Sequence, residues 1–312
     1  MMKRRGAVNL MMLVFAAGLY SAHAVEPIHL KSDIVYKTTP EGDLHLDMFY
    51  PEAEPTGTYP VVIYTHGGGW VTGSKEKVRG RRKMGRVVRG LTEKGFCVAA
   101  VNYRLVKHGG NTSMRDCVID AKDAIRFLVK NKEDLFVDPD RVFTFGDSAG
   151  GQIAQMLLLS SPESLSGAKD LADYKYKVVA GVSWYGPCDF ENIELFRPEG
   201  SGKVRDRFGA RIIPANADSA DKLRLYREMS PVNYLASESP PLLMIQGDRD
   251  TTIPVHHAYY MDERAEQIGA PVDILIIENA GHNWREADQG VAIEPPLATI
   301  VERTVEFLVG HL

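Results

Sequence analysis

Gly146-Asp147-Ser148-Ala149-Gly150-Gly151 follows the apolar run Val142-Phe143-Thr144-Phe145 and precedes the helix-like stretch Gln152 to Leu159. The order is strand, tight turn, helix, with a serine at the apex. A serine so placed projects from the end of a sheet, open to a base on one side and a substrate on the other. Gly146 and Gly150 suit the sharpness of the turn, where a Cβ would meet neighbouring backbone. Gly and Ser also crowd ordinary loops, so the hexapeptide needs partners elsewhere before it reads as a nucleophile.

The surrounding chain alternates strand-like and helix-like segments. His45 to Tyr50 alternates as an edge strand does, and Val61 to Tyr64 is a short apolar strand. A helix over Arg86 to Lys94 ends at Gly95, and the strand Phe96 to Val101 follows. Ser113 caps a helix to about Lys130, with Val118, Ala121, Ile125 and Leu128 on one face. Strands are expected at Val178–Trp184, Leu242–Gln246 and Val272–Ile277, with helices at His256–Ile268 and Leu297–Leu308. Such alternation predicts an α/β fold, a mostly parallel sheet with helices on both faces. Between about residues 189 and 228 the pattern breaks into a polar stretch, expected to be a small cap-like insertion.

A serine hydroxyl needs a base, and the base needs an orienting acid, all from strand-end loops in such a sheet. Gln246-Gly247-Asp248-Arg249-Asp250 follows one strand and Ala280-Gly281-His282-Asn283-Trp284 follows the next. The order is Ser148, then Asp248 or Asp250, then His282. His66-Gly67-Gly68-Gly69-Trp70 follows the strand at 61–64, where glycine N–H groups, with that of Ala149, form an oxyanion hole. His66 is expected to make structural hydrogen bonds, and His256 and His257 to face solvent or cap their helix.

HGGGW at 66–70, NYR at 102–104, GDSAGG at 146–151, WYGPCD at 184–189, GDRDTTIP at 247–254 and GHNW at 281–284 resemble the α/β-hydrolase esterases. The groups most similar are the hormone-sensitive-lipase-like carboxylesterases and bacterial esterases related to acetylxylan and feruloyl esterases. The resemblance covers about Leu44 to Leu312. It implies an α/β-hydrolase fold and a serine esterase of short acyl groups, acetyl or feruloyl on plant polysaccharide included. It places the acid at Asp250, with Asp248 a turn residue, and the oxyanion donors at Gly68 and Gly69. Amide hydrolysis on the same triad, or an inactive binding protein, are the alternative functions.

Trp70, Trp184, Tyr185 and Trp284 lie on or beside strand-end loops and are expected to contact substrate, with loop packing as the competing role. Phe196 stands as cap core or substrate wall. A basic run, Lys75, Lys77, Arg79, Arg81, Arg82, Lys83, Arg86 and Arg89, is opposed in sequence only by Glu76. A solvated helix face is expected there, and attraction of acidic glycans is the sharper reading.

Residues 1–24 read as a signal peptide: Lys3, Arg4 and Arg5, then an apolar core, then Ala22-His23-Ala24. The expectation is an exported protein, periplasmic or secreted, with one domain over 25–312 and no stable membrane anchor. The net charge of −4 gives no general attraction for nucleic acid. Cys97, Cys117 and Cys188 are expected as buried free thiols, with one bridge possible in an oxidising compartment. No phosphate loop or metal-ligand spacing occurs, so no cofactor and no metal are implied. The expected partner is a small ester or acylated polysaccharide. The sequence says nothing of oligomeric state.

Overall fold

The computed structural model describes residues 29–312 except 52, 53, 56, 80, 81, 198–203 and 205. The expected signal segment lies outside the described residues. The strands are β1 (His29–Thr39), β2 (Gly42–Tyr50), β3 (Tyr59–Thr65), β4 (Cys97–Val101), β5 (Val137–Asp147), β6 (Val178–Trp184), β7 (Leu242–Gly247), β8 (Val272–Ile277), β9 (Ala280–Gly281) and β10 (Arg285–Glu286). The helices are α1 (Lys83–Glu93), α2 (Met114–Lys130), α3 (Lys132–Leu135), α4 (Ala149–Leu159), α5 (Gly209–Ile212), α6 (Lys222–Met229), α7 (His256–Ile268) and α8 (Leu297–Val309).

Eight strands form one sheet in the order β1-β2-β4-β3-β5-β6-β7-β8. From β4 to β8 every pairing is parallel, and β2 runs antiparallel to both its neighbours. Apolar runs without alternation suit strands covered on both faces. In β3, Val61 and Ile63 enter one core, and Val62 and Tyr64 enter the other. Leu242 and Met244 of β7 divide from Leu243 and Ile245 in the same way. The first core is covered by α2, α4 and α7, and the second by α1 and α8.

His45–Tyr50 belongs to β2, which is interior to the sheet; β1 takes the edge. Most of β1 is exposed, so its polar sequence lacks the periodicity that marks a covered strand. Local signals set several helix ends. The Ser113 N–H donates to Asp116 Oδ2 at 2.8 Å at the start of α2. Gly269, at φ +73°, closes α7 in the left-handed region. Cys97, Cys117 and Cys188 are buried and unbridged.

The basic run is not one solvated face. Lys75 is 1% exposed and reaches Asp33 at 2.6 Å and Asp47 at 2.7 Å. Arg79 meets the same Asp47 at 2.6 Å. These acids come from β1 and β2, far away in sequence, so the run is opposed in space by more than Glu76. Arg82 and Arg86 are exposed, and Arg81 lies outside the described residues.

Past Asp189 the chain folds as short helical turns, α5 and α6. Phe190, Phe196 and Phe208 cluster there, Phe190 stacked on Phe196 and Phe208 edge-on to both, with ring centroids 5.3–6.2 Å apart. Phe196 is therefore packed core. His257 is fully buried against Phe196, with ring centroids 4.3 Å apart, rather than facing solvent. Burial pushes its pKa down to about 3, so the ring is neutral.

Candidate active site

Ser148 sits at the end of β5, the strand flanked by β3 and β6 in the sheet. Its backbone is at φ +55° and ψ −119°, a strained conformation for a side-chain-bearing residue. The surroundings hold it there. The Ser148 N–H donates to the Trp184 carbonyl at 2.8 Å. A Cβ on Gly150 would lie 1.9 Å from the Thr65 carbonyl oxygen, and one on Gly146 would lie 2.1 Å from the Gly150 oxygen. Backbone approaches this close leave no room for any other residue at either position.

The loop after β7 and the segment after β8 bring two more side chains to this serine. His282 Nε2 lies 3.0 Å from Ser148 Oγ, and His282 Nδ1 lies 2.7 Å from Asp250 Oδ2. A carboxylate only accepts, so Nδ1 carries the ring proton and Nε2 is free to accept from the serine hydroxyl. Asp250 is buried, and its Oδ1 accepts N–H groups of Thr252 at 2.7 Å and Ile253 at 3.0 Å. Asp248 instead accepts the Ala280 N–H at 3.2 Å, tying its loop to the segment that carries His282.

The glycine run lies beside this triad. The Gly67 N–H donates to Asp147 Oδ1 at 2.8 Å, and the Tyr64 hydroxyl donates to the same oxygen at 2.8 Å. Gly67 is thereby committed. The N–H groups of Gly68, Gly69 and Ala149 donate to nothing among the described residues. Gly68 stands at φ +138°, and a Cβ on it would lie 1.9 Å from the Thr72 carbonyl oxygen. His66 stacks on Tyr103 with centroids 4.3 Å apart, beneath the run. Burial holds its pKa at about 4, so it is neutral and structural.

A cleft of about 360 Å³ opens over Ser148 and His282, with Gly68, Gly69 and Trp70 in its wall. Trp70 also donates its indole N–H to Gln152 Oε1 at 3.2 Å. The other three aromatic residues expected at substrate lie elsewhere. Trp184 is fully buried, packs on Phe145 and donates to Thr304 Oγ1 at 2.9 Å. Tyr185 is buried with its ring edge-on to the His282 imidazole at 4.8 Å, and Trp284 is buried edge-on against Tyr185 at 4.6 Å. Tyr185 backs the histidine and Trp284 packs behind Tyr185, and neither lines the cleft. Sequence reasoning missed Arg207, Phe208 and Arg211, which complete the wall. They carry no motif, and their only sequence signal is arginine in the expected insertion. Among the described residues, no three His, Cys, Asp or Glu side chains group to hold a metal ion.

A mostly parallel eight-stranded sheet, with a strand–serine–helix turn at its centre and strand-end Asp and His side chains beside it, is an α/β-hydrolase fold. Residues 46–264 match the BD-FAE family model, and the chain belongs to that family. A probable carboxylic ester hydrolase, LipM of Mycobacterium tuberculosis, is 26% identical over 264 residues, which are 82% of this chain and 58% of that protein. The chain spans little more than half the length of curated relatives of this kind. Esterase 2 of Thermogutta terrifontis, solved phosphoramylated by tabun, shares the fold with a TM-score of 0.70 at 22% identity, covering 92% of this chain and 96% of that one. A truncated carbohydrate esterase from gut microbiota aligns with a TM-score of 0.69 at 17% identity, covering 90% and 95% of the two chains.

Proposed function

We propose that the protein is an exported serine carboxylesterase that works through an acyl-enzyme. The observation that carries this reading is the hydrogen-bonded line from Ser148 through His282 to Asp250, facing the same cleft as undonated glycine N–H groups.

In this reading Ser148 Oγ attacks the ester carbonyl carbon as its proton passes to His282 Nε2. Asp250 stabilises the imidazolium and keeps the ring oriented. The carbonyl oxygen becomes an oxyanion, met by the N–H groups of Gly68, Gly69 and Ala149. The carbon–oxygen bond to the alcohol breaks, and His282 returns the proton to the leaving oxygen. Water then adds to the acyl-enzyme with His282 as base, releasing the acid and restoring Ser148. One ester and one water become one acid and one alcohol.

The substrates we propose are short acyl esters of a carbohydrate or small alcohol, acetyl or feruloyl groups on plant polysaccharide among them. Supporting this are the family, the modest cleft volume of about 360 Å³ and the similarity to a carbohydrate esterase. Export rests on the segment at residues 1–24, and protein recovered outside the cytoplasm should begin near Val25.

The test is a panel of p-nitrophenyl acetate, acetylated xylan, methyl ferulate and aminoacyl anilides, with organophosphonate labelling. Ester turnover with phosphonate on Ser148 is expected. The absence of both turnover and labelling would sink the enzyme reading, and faster cleavage of the anilides would replace ester with amide.

A further inference from the structure

Two guanidinium groups enter the cleft from the segment beyond Asp189, and neither faces a carboxylate partner among the described residues. Arg211, in α5, is partly buried with its guanidinium 5.0 Å from the Phe208 ring centroid. The same guanidinium is 3.7–3.8 Å from where a Cβ on Gly69 would stand, so it lies against the oxyanion loop. Arg207 is exposed and donates to the carbonyls of Thr251 at 2.7 Å and Thr252 at 3.3 Å, on the loop that carries Asp250. Lys77 adds a third cation to the wall, donating to the Gly67 carbonyl at 2.6 Å.

Elsewhere the molecule pairs such groups. Arg104 meets Asp120 at 2.8 Å, Arg126 meets Asp123 at 2.7 Å, and Lys75 meets two aspartates. The acids near the cleft are already engaged. Asp250 holds His282, and Asp147 Oδ1 accepts from Tyr64 and Gly67 while its Oδ2 lies 4.0 Å from Lys77. Burial, with repulsion from Arg207, works against the charge on Arg211. A partly buried charge without a counter-ion is unfavourable, and an anion beside it would relieve that cost.

We propose that the cleft is built for esters that carry a carboxylate, with Arg211 as the specificity residue and Arg207 and Lys77 supplying the surrounding positive field. A guanidinium presents a planar fork that matches a carboxylate through two parallel hydrogen bonds. Arg211 stands beside the oxyanion loop, so the carboxylate belongs to the substrate's acyl or alcohol half and is distinct from the reacting carbonyl. This inference rests on the serine-esterase reading above and names its substrate class.

Two matched pairs test it, each rate corrected for spontaneous hydrolysis. Mono-p-nitrophenyl glutarate against p-nitrophenyl pentanoate probes the acyl side. Para-acetoxybenzoate against para-acetoxybenzamide probes the alcohol side. The native protein should favour the acid of at least one pair by roughly ten- to hundredfold in kcat/KM, the range of one charge-assisted contact. Rising ionic strength should shrink that preference. Arg211→Gln should reduce the acid-to-neutral ratio at least about tenfold, and Arg211→Lys should restore only part of it, having charge without the fork. The pair that shows the preference names the half that carries the carboxylate. Turnover of neutral esters with no acid preference in either pair, or a ratio unmoved by Arg211→Gln, overturns this inference alone. Absence of turnover on every ester overturns the serine-esterase reading as well.

Discussion

Two regions meet at the cleft, the strand-end loops and the segment between Asp189 and Met229, and they hold their residues by different means. In the loops, backbone packs on backbone. Gly150 touches Thr65, Gly146 touches Gly150, and Asp250 accepts two N–H groups of its own turn. In the segment, side chain packs on side chain. Phe190, Phe196 and Phe208 pack together, and Arg211 rides on Phe208. Groups that must react are placed by rigid backbone geometry. Groups that would select a substrate are placed by packing, which accepts substitution more readily.

The largest effect expected from this contrast is at the serine. Ser148→Ala should lower ester kcat by at least ~10⁴-fold, with the thermal unfolding transition intact. Turnover close to the native value would remove the loops from the chemistry. Next is the acid. Asp250→Asn should cost on the order of 10⁴-fold in kcat, whereas Asp248→Asn, which loosens the Ala280 contact and the Arg249 pair, should cost less than about tenfold. Equal losses would show that the two aspartates share the role.

The backbone side of the contrast is tested by Gly150→Ala. A Cβ 1.9 Å from a carbonyl oxygen cannot be relieved by a rotamer change. Destabilisation on the order of 3–5 kcal/mol is expected in denaturant melts. A variant as stable as the native protein would mean the turn can open.

Acid stability compares the regions through one buried histidine packed against each, His66 under the glycine loop and His257 of α7 under Phe196. Burial depresses both pKa values, to about 4 and about 3, from 6.5. Each favours folding fully above about pH 6.5, and that contribution is lost as pH falls toward the folded value, because the unfolded chain binds the proton more readily. His257→Gln should flatten the fall in unfolding free energy between about pH 6.5 and 4 by on the order of 2 kcal/mol. An unchanged slope would show that His257 does not titrate with unfolding.

The smallest effect expected is at Trp184. Trp184→Phe removes its hydrogen bond to Thr304 and part of its packing, for about 1–2 kcal/mol of stability. KM and the acid-to-neutral ratio should stay as they are. A selective change in KM would return Trp184 to the substrate wall.

Legibility in the sequence follows the same division. The boundaries of β6, β8 and α7 coincide with the expected segments, because apolar runs and flanking turn residues are local signals. The edge strand β1 left no such signal, since exposed positions carry no pattern. Ser148, Asp250 and His282 stand at strand ends, a position that can be read along one chain. Trp184 and Tyr185 stand at a strand end too. Yet the face they enter depends on α8 and on Trp284, which arrive more than 90 residues later.

By itself, then, the sequence determined the strand-and-helix alternation, the tight serine turn and the order of the residues around it. Each of these depends on neighbours within a few positions, where glycine placement and hydrophobic period act directly. Only the tertiary structure decided that Gly67 is committed to Asp147, that Lys75 is an internal ion-pair partner and that Arg207 and Arg211 face the cleft. Those outcomes depend on which distant charges and rings share a small volume, and distance in space is what a linear pattern does not carry.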